Sequence, residues 1–162
     1  MNIDSPTGFA SAHIDGKLLH RGFWVYVVEI TSASGKHYYV GRTGDSSSPF
    51  ASSLFARLAA HLDQKPSAKG NSLSKRVREK ELDCSECEYH VFGFGPLFDE
   101  QASMEQHRPF RDKMAALESH LAELLRSRDY PVIGKHAPAK EVDAVLLGRV
   151  MPIFDQHFPS LV

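Results

Sequence analysis

Three consecutive stretches decide how this chain folds: Phe23-Trp24-Val25-Tyr26-Val27-Val28-Glu29-Ile30-Thr31, Ser32-Ala33-Ser34-Gly35, and Lys36-His37-Tyr38-Tyr39-Val40-Gly41. The first is β-branched and aromatic almost throughout and reads as a buried strand. The second is small and polar and closes on glycine, so the third returns beside the first as a β-hairpin. Working outward, residues 52–62 place Leu54, Phe55, Leu58 and Leu62 on one helical face. A loop at 65–71 leads to a second helix over about 72–82, with Asn71 or Ser72 as its cap. Residues 88–94 alternate with aromatics and read as a third strand, ended by Gly93, Gly95 and Pro96. A long helix is expected over about 105–127, bent near Pro109, and a last one over about 141–154. The order predicts an α+β fold, a small antiparallel three-stranded sheet flanked by helices.

The chain of 162 residues suits one domain with a real core. Residues 1–21 are polar and read as an N-terminal arm, and 22–162 as the single domain. No apolar run approaches the roughly 18 residues that span a bilayer, so no membrane association is expected. The start lacks a basic segment followed by an apolar one, so no secretory signal is read. Two cysteines, Cys84 and Cys87, are too few for a disulfide framework, and a cytoplasmic setting is expected. With His90 they offer three ligands at close spacing, but the second pair of a standard zinc site is missing, and they read as reduced thiols.

A net charge of −1 argues against a generic nucleic-acid binder, but the charge is unevenly spread. Residues 65–80 hold six basic side chains and one acidic, a local +5 that leaves −6 for the rest. Such a stretch is either a solvated face or a surface that tracks phosphates. Arg57 and His61 lie four apart, at the rim of the first helix's apolar arc. Arginine supplies a planar fork that matches a phosphate, and histidine moves protons near neutral pH. Glu118 sits beside the apolar stripe of Met114, Leu117, Leu121, Leu124 and Leu125. A carboxylate there is costly unless it is hydrated, paired with a cation such as Arg111, or bound to a metal. Tyr26 and Tyr39 are either packing aromatics or phenols aimed at water or phosphate, with Arg42 as a nearby cation.

Taken in order, Trp24-Val25-Tyr26, Tyr39-Val40-Gly41, Arg42, the Arg57-x3-His61 pair and Glu118 resemble the GIY-YIG nuclease superfamily. Two departures stand out: Trp24 replaces the first glycine, and Gly134-Lys135 stand where an asparagine is expected after Tyr130-Pro131-Val132-Ile133. The resemblance implies a metal-dependent endonuclease that hydrolyses DNA. Glu118 would anchor one Mg²⁺, Arg57 would clamp a phosphate oxygen, Tyr39 would orient water or phosphate, and Tyr26 or His61 would act as base. Arg42, Lys69, Asn71, Lys75 and Arg76 are the expected phosphate and DNA contacts. The resemblance leaves no room for a separate DNA-binding domain, and a homodimer would present two sites to a duplex. The competing expectation is a non-catalytic module of the same fold that binds nucleic acid or protein.

Overall fold

β1 (Phe23–Ser32) lies in the middle of the sheet because it is apolar on both faces. Phe23, Val25 and Val27 join one core, and Trp24, Tyr26, Val28 and Ile30 join the other. β2 (Gly35–Arg42) and β3 (Glu88–Phe98) flank it, both antiparallel, in the order β2-β1-β3. The first core is closed by α3 (Met104–Ser127) and α4 (Ala144–His157), through residues such as Met114, Leu121, Leu146 and Phe154. The second is closed by α1 (Leu54–His61) and α2 (Ser72–Arg78), through Leu54, Leu73 and Val77. This is the α+β fold expected, seen in a computed structural model that describes residues 8–46, 48–138 and 140–161. Among these residues, no helix is long and apolar enough to cross a membrane.

Several details differ from the sequence reading, among them the last helix, which is shifted to Ala144–His157. β3 does not stop at Gly93 but continues through Gly95 and Pro96 to Phe98. It is an edge strand, so a proline nitrogen without hydrogen can face away from its only partner. α2 ends at Arg78, and Glu81 just beyond it adopts a left-handed φ of 58° that helix cannot continue through. Asn71 precedes α2 but does not cap it: its amide Nδ2 donates to Asp63 O at 3.2 Å, and the side chain is buried. α3 runs on through Pro109 as one helix, started by the Ser103 hydroxyl, which accepts from Gln106 N–H.

Residues 1–7 of the expected arm lie outside the described part. Its last residues belong to the folded unit: Arg21 bridges to Ser53 and pairs with Glu100 at 2.6 Å, and the Trp24 indole donates to His20 O. Trp24, the departure in the first motif, packs over the bare backbone of Gly93 and Gly95 on β3. Its bulk is therefore taken up at the far side of β1 from β2.

Candidate functional site

The two tyrosine motifs meet for a steric reason. Tyr26 faces the α1/α2 side of the sheet, fully buried, and its register partner on β2 is Gly41. A Cβ on Gly41 would lie 2.5 Å from the Tyr26 hydroxyl, so only glycine lets the phenol lie across β2. Tyr39, two residues earlier on β2, projects to the same face, and the two rings stand 6.5 Å apart. α1 crosses this face. The Ser53 hydroxyl starts it by accepting from Ala56 N–H, and the apolar arc through Leu54 and Leu58 seats it on the sheet. Its rim then delivers His61, only 2% exposed and 5.9 Å from the Tyr39 ring. One turn earlier, Arg57 lies against the Tyr26 hydroxyl without the aligned geometry of a formed hydrogen bond.

The remaining residues reach the same place from the other face of β2. Arg42 follows Gly41 and alternates onto the α3 side, where its Nη1 donates to Glu118 Oε2 at 2.9 Å. Glu118 therefore pairs with Arg42, while Arg111 pairs with its neighbour Asp112. Asp45, in the loop after β2, forms an ion pair with Arg57. Neither Asp45 nor its partner choice was legible beforehand, since the loop reads only as serine- and glycine-rich.

The ionisation of these groups records how tightly they are packed. Burial, helped by the charge of Asp45 and opposed by Arg42 and Arg57, pushes Glu118 up to about 7. Burial and the Arg57 cation push His61 down to about 4, so at neutral pH the ring is uncharged. Burial and the Glu118 charge push Tyr39 up to about 12, and burial with Tyr39 raises Tyr26 against the pull of Arg57.

Five buried polar atoms of this cluster have no hydrogen-bond partner: Tyr26 Oη, Arg42 Nε, Arg57 Nε, and both ring nitrogens of His61. Native interiors rarely leave such atoms unpaired, and each one costs about 1–3 kcal/mol. Donors from arginine and tyrosine beside a half-buried carboxylate can hold an oxyanion, with a cation on the carboxylate. Among the described residues no group of three or more His, Cys, Asp or Glu could enclose a metal. An ion here would rest on Glu118, with at most one further carboxylate, and complete its shell with water, as Mg²⁺ does.

A cationic rim borders the cluster along the edge of β2. Residues 131–133 run beside that strand, with Tyr38 N–H donating to Pro131 O and Ile133 N–H to Tyr38 O. His136 bonds Val40 O through Nε2 at 3.0 Å. A carbonyl only accepts, so Nε2 carries the proton, and Nδ1 accepts from Arg126 Nη2 at 3.2 Å. Burial and the arginines hold the ring neutral, against the pull of the Val40 bond. His136 thus occupies the strand edge just beyond Gly134 and Lys135, a placement no local pattern signals. Gly134 packs between the Tyr39 ring and the Arg76 stem, and Arg76, Lys80 and Lys135 line a shallow groove there together with Glu79, which pairs with Arg76. Lys69 and Lys75 are exposed, as a phosphate-tracking role requires. Asn71, turned inward on Asp63, serves its own loop instead and is withdrawn from the contacts.

Comparison of the chain with protein-family models, with curated proteins and with solved structures finds no match. What the site does must come from its own chemistry.

Proposed function

We propose that this chain is a metal-assisted endonuclease that hydrolyses DNA phosphodiester bonds. The observation that carries this reading is the convergence of five unpartnered buried polar atoms beside a carboxylate, next to a cationic rim. Arg57, with Nε–H uncommitted, would hold a non-bridging phosphate oxygen. Tyr39 would orient the attacking water through its hydroxyl. Tyr26 or His61 would take the proton from that water as its oxygen bonds phosphorus and the ester P–O bond breaks. The leaving oxygen takes up a proton from solvent. Glu118 is the residue that would hold one divalent ion, and the ion when bound neutralises charge developing on the phosphate and the leaving oxygen.

The test is cleavage of supercoiled plasmid with Mg²⁺ and with excess EDTA. Nicking or linearisation in Mg²⁺ alone is expected, and uncut DNA under both conditions overturns the reading. Linear product formed without a nicked intermediate would point to two sites acting together, as a homodimer provides. A non-catalytic binding module is favoured by one observation, that Arg42 and Arg57 already pair with Glu118 and Asp45. Retention of DNA without cleavage would select it.

The rim carries a separate expectation. Lys69→Glu with Lys75→Glu changes two exposed charges and leaves the Arg76–Glu79 pair intact. Binding should weaken on every sequence, and the slope of log affinity against log salt should flatten by up to about 2. An unchanged slope, measured by fluorescence anisotropy between 50 and 200 mM salt, would place DNA elsewhere.

A further inference from the structure

We infer that Asp45 is a positioning residue for the phosphate-binding arginine, and that it holds the Arg57 fork so that its remaining N–H groups face the reacting centre. The inference deepens the nuclease reading and rests on it.

The loop that carries Asp45 is built residue by residue. Thr43 is buried; its hydroxyl donates to Gly22 O at 2.6 Å and accepts from Trp24 N–H at 2.9 Å. Its own N–H donates to Trp24 O, so Thr43 locks the end of β2 to the start of β1. Gly44 follows with φ of 77°, and a Cβ there would lie 2.5 Å from the Phe23 ring. Only glycine fits that turn. Gly44 O meets Nε2 of His107, a fully buried residue of α3, at 2.9 Å, and a carbonyl partner means that this nitrogen carries the proton. Two successive anchored residues therefore deliver Asp45, and the first group its carboxylate meets is the Arg57 guanidinium.

The geometry also says which part of the guanidinium is committed. Asp45 takes Nη2, while Nε is buried and unpartnered, and the guanidinium as a whole lies against Tyr26. An arginine on a helix rim has several rotamers, and a carboxylate on one end of the fork removes most of them. The charge of Asp45 also reaches Glu118 and His61, so it sits in the electrostatic field of the site itself.

Single-turnover cleavage separates this role from a structural one. Asp45→Ala should lower the rate at saturating enzyme by about 10- to 100-fold, with DNA affinity changed by no more than about twofold and the thermal midpoint nearly kept. Asp45→Glu should recover part of the loss. In an Arg57→Ala background the same Asp45→Ala change should cost less than about twofold, because its effect passes through the arginine. Added guanidinium should partly restore Arg57→Ala, and fail to restore the double variant. Losses that multiply, rescue that ignores Asp45, or a faster Asp45→Ala variant would each overturn the inference while leaving the nuclease reading in place. A wild-type protein that does not cut DNA overturns both.

Discussion

Glu118→Gln is expected to cut DNA at less than about a thousandth of the wild-type rate while remaining folded and able to bind DNA. The substitution is close to isosteric, and the glutamine carbonyl can still accept the Arg42 Nη1 hydrogen bond that Glu118 accepts at 2.9 Å. What it removes is the charge that would hold a divalent ion. Full activity in the variant would exclude the role. A readout independent of cleavage follows from the ionisation of this carboxyl. Its folded value, about 7, stands above the ordinary 4.5. Its stabilising contribution is therefore complete below the unfolded value and is lost as pH rises through about 7, where the buried group must charge. Wild type should lose thermal stability relative to Glu118→Gln between pH 5 and pH 8. Added Mg²⁺ should return stability to wild type at pH 8, do little at pH 5, and do nothing for the variant, because only the charged carboxylate binds the ion. A Mg²⁺ shift of equal size in both proteins would place the ion elsewhere.

Much of this site was legible in the sequence because its parts obey short-range rules. Period-two alternation alone puts Tyr26 and Tyr39 on defined faces of two paired strands, and the hairpin turn at 32–35 sets their register. The four-residue spacing of Arg57 and His61 puts both on one rim of α1, and the apolar stripe of α3 puts Glu118 beside a face rather than on it. The parts that stayed hidden depend on contacts between distant segments. Asp45 stands in a loop with no periodicity, and its aim is set by Thr43 and Gly44 binding to β1 and to His107 on α3. His136 reaches Val40 across 96 residues. The partner of Glu118 could not be chosen from α3 alone, where Arg111 was the near cation, because Arg42 arrives from the end of β2. Asn71 misled for the opposite reason. Its type and place before a helix are those of a cap, but a tertiary hydrogen bond to Asp63 O claims the side chain.

Tyr26→Phe is expected to lose about 10²–10⁴-fold in single-turnover rate, and His61→Ala far less, if the phenol is the base. The pH profile of the wild type decides between them, because the structure moves the two groups in opposite directions. Burial and Tyr39 raise Tyr26, so its deprotonated fraction stays small and should grow tenfold per pH unit across the whole range from 6 to 9. Burial and Arg57 bring His61 down to about 4, so an imidazole base is already fully unprotonated above about pH 5 and gives a flat profile there. Glu118 gives a third shape, a rise that levels off near 7 as its carboxyl ionises. We favour Tyr26. It lies at the Gly41 gap against Arg57, a cation that stabilises the phenolate. His61 is a weak base whose ring lies 5.9 Å from that of Tyr39. The log of the rate should therefore keep climbing past pH 8 in wild type and in His61→Ala, and the climb should vanish in Tyr26→Phe. A profile that stays flat above about pH 8, with the rate lost in His61→Ala and kept in Tyr26→Phe, would give the proton to the histidine. Enzyme must exceed DNA and Mg²⁺ must saturate, so that neither product release nor metal loss sets the measured step.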